Sequence, residues 1–203
     1  MTQDGAPVVG VLSVHGAVSE HVDALRRVGA RAVPVGSVEE LDGVHALVIP
    51  GGESTTVRLA AGQDLIAAVR RRVRDGMPVL GTCAGLIAVA ECIEGGDEPI
   101  VGGLDVTVSR NGYGRQVASF EAPLDYAPGW DGPAAPEGVF IRAPRITARG
   151  DGVEVVATRG GEPVAVRQGD IVGTAYHPEL TDDDRLHAWI TDRARAYHQR
   201  DNH

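Results

Sequence analysis

Gly81-Thr82-Cys83-Ala84-Gly85 sets a thiol between two glycines, straight after the apolar run Pro78-Val79-Leu80 and straight before the helical run Leu86 to Glu91. This is the order of a G-x-nucleophile-x-G elbow, in which flanking glycines let a sharp strand-to-helix turn hold a nucleophile strained and exposed. A thiol at a helix N-terminus sits at the positive end of the macrodipole, which favours the thiolate. The N–H of Ala84 points toward the same place and can meet a tetrahedral oxyanion. The alternative at this stage is a small free cysteine packed at a tight turn. The chain has two cysteines, Cys83 and Cys92, too few for a disulfide framework or a four-ligand zinc site. If one helix carries both, their spacing puts them on opposite faces.

An acid-base partner for that thiol is offered by Tyr176-His177-Pro178-Glu179, at the end of the last apolar run. A histidine at a strand end can take the thiol proton and return it to a leaving amine, and a carboxylate two positions on can hold the ring in one tautomer. Of the seven histidines, His187, His198 and His203 lie on or after a C-terminal helix and read as surface residues, while His21 and His45 have no useful sequence neighbours. Pro50-Gly51-Gly52-Glu53-Ser54-Thr55-Thr56 lacks the spacing and the lysine of a phosphate loop. Exposed N–H groups beside a carboxylate suit a zwitterion better: Glu53 for an ammonium, and a glycine N–H to share an oxyanion with Ala84. A plain turn with Ser54 or Thr55 capping a helix is the other reading. Arg110 and Arg142 lie in turn-prone sequence and can grip a carboxylate by a bidentate fork or serve as surface ion pairs.

The elements that must position these groups alternate. Strands are predicted over Val8 to Val14, Arg31 to Val35, Val44 to Ile49 and Pro78 to Leu80, and helices over Ser19 to Val28, with Val22, Leu25 and Val28 on one face, and over Leu65 to Val73. Such alternation implies a mostly parallel sheet with helices on both faces. After Gly95-Gly96 come strand-like runs at Leu104 to Val108, Val139 to Ile141, Val153 to Ala157, Pro163 to Val166 and Ile171 to Ala175. Their connections are too short for crossover helices, so an antiparallel extension is expected. Thr181-Asp182-Asp183-Asp184 reads as the cap of a final helix rather than a metal site. The Pro- and Gly-rich stretch from Ala127 to Gly138 reads as a surface loop within one domain spanning residues 1–203.

Composition excludes several classes. A net charge of -9 without a clustered basic face argues against nucleic acid, and the run Arg70-Arg71-Arg72 with Arg74 reads as a solvated helix face. No stretch is apolar for long enough to span a membrane, and no signal peptide opens the chain, so a cytoplasmic protein is expected.

Taken together and in this order, GGESTT, GTCAG, RNGYGRQ, FIRAP and HPEL resemble the glutaminase subunit of pyridoxal 5′-phosphate synthase, a class I glutamine amidotransferase. GTCAG with HPE points only to the broad class; GGEST and FIRAP narrow it. The resemblance implies an α/β, flavodoxin-like three-layer sandwich. It makes Cys83 the nucleophile and His177 with Glu179 the rest of a triad. Glutamine is expected against Gly52, Glu53, Ser54, Arg110, Ile141 and Arg142, with Gly52 and Ala84 forming the oxyanion hole. The chemistry needs no cofactor and no metal. The motifs run from residue 51 to 179 and leave no room for an acceptor domain, so the ammonia is expected to pass to another chain, by resemblance a (β/α)8-barrel synthase subunit in a hetero-oligomer. The sequence departs from the family at His15, where glutamine is usual, and at Tyr113, where phenylalanine is common. Another Cys-His hydrolase on this scaffold, a glutaminase serving a different synthase, or a non-catalytic regulatory subunit are the competing readings.

Overall fold

Runs such as Ala46-Leu47-Val48-Ile49 carry no polar side chain to turn toward water, so they belong inside a sheet covered on both faces. The computed structural model describes residues 6–13, 16–52, 61–110, 112 and 119–201. Its first half runs β1 (Val8–Leu12), α1 (Val18–Arg27), β2 (Arg31–Val35), α2 (Val38–Asp42), β3 (Ala46–Ile49), α3 (Gly62–Arg74), β4 (Val79–Thr82), α4 (Ala84–Val89) and β5 (Ala90–Ile93). There follow β6 (Leu104–Ser109), β7 (Ser119–Pro123), β8 (Asp125–Tyr126), β9 (Glu137–Ile141), β10 (Arg145–Arg149), β11 (Glu154–Arg159), β12 (Glu162–Gln168), β13 (Ile171–Thr174), a 3-10 turn (Pro178–Leu180) and α5 (Arg185–Asp201).

The main sheet has the order β2-β1-β3-β4-β13-β12-β11-β8. Its first five strands are parallel and the last three antiparallel, so the mostly parallel sheet and its antiparallel extension are as the sequence predicts, while β13, grouped there with the later runs, joins the parallel half beside β4. Every residue of β3, β4 and β13 is buried, which requires cover on both faces. α1 packs with α5, and α2 with α3, over the parallel half. Pro34 is tolerated because β2 is the edge strand, where a missing N–H breaks no inner ladder. Chain order reverses at β1, which has β2 on one side and β3 on the other; crevices beyond the carboxyl ends of such strands are where ligands bind in open α/β sheets.

Two small sheets, β10-β6-β5 and β7-β9, flank this frame. They correct three expectations. The helix after Cys83 stops at Val89 instead of running to Glu91, because Ala90 to Ile93 pairs in parallel with β6. Cys92 therefore lies on a strand, exposed, and the two thiols do not share a helix. The arginine run of α3 is only partly solvated: Arg70 donates to the carbonyls of Pro99 and Ile100, and Arg72 to those of Leu41 and Val44, bracing neighbouring loops. Among the described residues no helix is long and apolar enough to cross a membrane.

Candidate active site

Cys83 follows β4 immediately, and its N–H still donates to the Thr174 carbonyl of β13, 2.8 Å away. One residue later the chain is helical, and the Cys83 carbonyl accepts from Leu86 and Ile87 at the start of α4. To turn this sharply Cys83 adopts φ 52 and ψ -105, a left-handed conformation that costs a non-glycine residue on the order of 1–3 kcal/mol. The elbow glycines are needed for close approach. A Cβ on Gly85 would stand 2.0 Å from the Ile49 carbonyl oxygen, and one on Gly81 would stand 2.5 Å from the carbonyl oxygen of Gly85. Ala84 is buried as the first residue of α4, where a backbone N–H has no intrahelical partner.

The end of β13 delivers the second group. The backbone N–H of His177 donates to the Val139 carbonyl of β9, and Pro178 opens the 3-10 turn that carries Glu179. That geometry brings His177 Nδ1 to 2.7 Å from Glu179 Oε1. Both side chains are buried, 10% and 0% exposed, so the ion pair is little screened by water. Burial opposes charge on the His177 ring, but hydrogen bonds and charge from Cys83 and Glu179 outweigh it and push its pKa up to about 10. At rest the Cys83 thiol is directed at the Ile141 carbonyl oxygen, 3.7 Å away.

Gly51 and Gly52 follow β3 and close the third side. Gly51 is buried so tightly against the pair that a Cβ there would lie 2.4 Å from His177 Cε1 and 3.1 Å from Cys83 Cβ. Gly52 takes φ 146, open to glycine and rare for other residues. Cys83, His177, Glu179, Gly51 and the Ile141 carbonyl are thus brought together beyond the ends of β3, β4 and β13. Arg142 is exposed with φ 45, beside Ile141 in the turn after β9. Arg110 lies just past β6, where its guanidinium pairs with Asp97 at 3.1 Å and leaves Nε buried without a hydrogen bond among the described residues. Glu53, Ser54, His15 and Tyr113 lie outside the described residues.

Sequence reasoning missed two residues here. His21 and His187 are fully buried, not idle or superficial. His21 reaches Thr82 and Glu179 through Nε2 and His187 through Nδ1. The signal was helical spacing: His21 lies four residues before buried Leu25, and His187 lies between Leu186 and Ile190 on the inward stripe of α5. Of the predicted α1 face of Val22, Leu25 and Val28, Leu25 is fully buried and Val22 packs partly buried against the core, while the residues that enter it fully are His21, Ala24 and Leu25.

Similarity to known proteins agrees with this arrangement. The SNO glutamine amidotransferase family model matches residues 11–195. A pyridoxal 5′-phosphate synthase subunit PdxT from Kineococcus radiotolerans is 48% identical over 198 residues, covering 94% of this chain and 96% of that protein. The subunit of the same name from Geobacillus kaustophilus is 51% identical over 179 residues, covering 88% of this chain and 90% of that protein. A crystal structure of a glutamine amidotransferase, 45% identical, superposes with a TM-score of 0.84 over 92% of this chain and 98% of its own. PurLQS from Thermotoga maritima, 16% identical with a TM-score of 0.65, covering 96% of this chain and 99% of its own, shares the fold alone. By the extent of the family match and the identity of these relatives, the chain belongs to the SNO glutamine amidotransferase family.

Proposed function

We propose that the protein hydrolyses L-glutamine to L-glutamate and ammonia and passes the ammonia to a pyridoxal 5′-phosphate synthase subunit, a (β/α)8-barrel partner in a hetero-oligomer. The observation that carries this reading is the strained turn at Cys83, which lies with the buried His177–Glu179 pair against Gly51. The relatives named as synthase subunits support the substrate and the partner.

In this mechanism the Cys83 sulfur attacks the carboxamide carbon of glutamine, and His177 holds the proton taken from the thiol. The tetrahedral oxyanion meets the N–H groups of Gly52 and Ala84, each such donor contributing about 3 kcal/mol to the transition state. His177 gives its proton to the departing nitrogen, so ammonia leaves and a glutamyl thioester stays on Cys83. His177 then takes a proton from water, whose oxygen displaces the sulfur and releases glutamate. Glu179 holds the imidazole in the tautomer with Nδ1 protonated, leaving Nε2 for the proton in transit. Gly52, Glu53, Ser54, Arg110, Ile141 and Arg142 bind the amino acid in this reading. The reaction is assigned to the cytoplasm, where both thiols, which are free, stay reduced.

The test is ammonia release from glutamine by the complex with its synthase subunit. Cys83→Ala should abolish it, and an unchanged rate would sink the assignment.

A further inference from the structure

Behind Glu179 lies a line of buried groups for which the mechanism above has no use. Glu179 Oε1 faces His177, while Oε2 is buried without a hydrogen-bond partner among the described residues. Nε2 of His21 stands 3.4 Å from Oε2 and 3.2 Å from Thr82 Oγ1. His21 Nδ1 in turn stands 3.0 Å from His187 Nε2. His21 comes from α1 and His187 from α5, and both are 0% exposed.

We propose that His21 is a positioning residue for the triad: its Nε2–H holds the second oxygen of Glu179, and His187 fixes the proton on that nitrogen. The inference rests on the glutaminase reading of the site. The proton order follows from the acceptors. An ionised carboxylate can only accept, so the proton that serves it sits on His21 Nε2. His21 Nδ1 is then a bare lone pair, and the contact at 3.0 Å requires the proton to be on His187 Nε2. Burial foremost, and then the neighbouring His187 and His177, lower the pKa of His21 well below the usual value, so its ring stays neutral and keeps one donor and one acceptor. A carboxylate held by both oxygens cannot swing away from His177 when the imidazole charges and discharges. The 3.4 Å separation closes to a hydrogen bond with a small rotation of the carboxylate, as contacts in resting active sites commonly do when substrate binds.

The decisive measurement uses the wild-type protein: nitrogen-15 chemical shifts of its labelled histidine rings, with peaks assigned by His21→Gln and His187→Gln. The expected result is a neutral His21 protonated at Nε2 and bare at Nδ1, next to a neutral His187 protonated at Nε2. A proton on His21 Nδ1 overturns the proposal. Activity in the synthase complex supplies the second arm. His21→Leu should lower kcat about 10-fold or more with KM little changed, the scale on which outer-shell partners act, and His21→Gln, whose amide N–H falls near the lost Nε2–H, should recover most of it. If His21→Leu keeps the wild-type kcat, or if Leu and Gln variants fall equally and only as far as their melting temperatures do, His21 merely packs and the proposal fails. Should His21→Leu not fold, the tautomers and the Gln variant still decide. A wild-type protein that releases no ammonia refutes the functional reading instead, and an active one with His21 protonated at Nδ1 refutes this inference alone.

Discussion

Gly51 offers the most direct test of whether the site is as tightly built as its distances say. Replacing it by alanine adds one methyl group whose carbon would stand 2.4 Å from His177 Cε1, 3.1 Å from Nδ1 and 3.1 Å from Cys83 Cβ. Ordinary contact begins at 3.4 Å, so the imidazole must retreat by about 1 Å. It has little room to do so, because Nδ1 is tied to Glu179 at 2.7 Å and the side chain is only 10% exposed. A misplacement of about 1 Å can cost 10²-fold in rate, or about 2.7 kcal/mol of barrier. Gly51→Ala should therefore lower kcat/KM for ammonia release by about that factor in the synthase complex, with the fold intact by circular dichroism. Gly43→Ala is the matched control: its φ is -85, a Cβ there finds nothing nearer than 3.7 Å, and it should leave the rate unchanged. A Gly51→Ala enzyme within about 3-fold of wild type would refute the close juxtaposition of His177 and the turn after β3.

Two further outcomes concern stability. Burial above all lowers the pKa of His187 from 6.5 to about 4, so the unfolded chain binds protons that the folded chain refuses as pH falls below 6.5. Between pH 7 and pH 5 this should cost about 2 kcal/mol, with His21 adding in the same direction. Urea midpoints at the two pH values should converge for His187→Gln relative to wild type, and equal losses in both proteins would show that the ring is not buried neutral. Arg185, with its side chain 5% exposed, donates to Asp183 at 2.8 Å and to the Trp130 and Pro133 carbonyls, and lies 3.9 Å over the Tyr126 ring. Arg185→Ala strands a buried carboxylate and frees the loop before β9, so about 3 kcal/mol should be lost in chemical denaturation. A loss no larger than that of an exposed arginine would contradict the packing.

What could be read from the sequence divides along physical lines. Inner strands were legible because VVGVL, ALVI and IVGT are apolar at nearly every position, as doubly covered strands are, but nothing local showed that IVGT pairs in parallel with β4. The elbow was legible because its glycines stand beside their cysteine. β10 was not, since Arg145-Ile146-Thr147-Ala148-Arg149 buries only Ile146 and forms through pairing with β6, far away in sequence. The first half of β5 reads as helix because Ala90 and Glu91 favour helix, and tertiary pairing overrides that local preference. α2 did carry its signal: Ser37 and Glu40 form a reciprocal capping box. The contacts of His21 with Glu179 and His187 join residues more than 150 positions apart, and a single helix pattern could show their burial but not their partners.

The left-handed turn at Cys83 has a consequence for how this protein can change. Glycine would adopt φ 52 without strain, so the position is occupied by a residue that opposes the fold rather than supports it. Replacing Cys83 by glycine would relieve a backbone strain on the order of 1–3 kcal/mol, set against the lost packing of a buried side chain and the greater freedom of glycine in the unfolded chain. On the glutaminase reading, the strain is tolerated because only a side chain at this turn can supply the thiol, so the position trades backbone ease for chemistry.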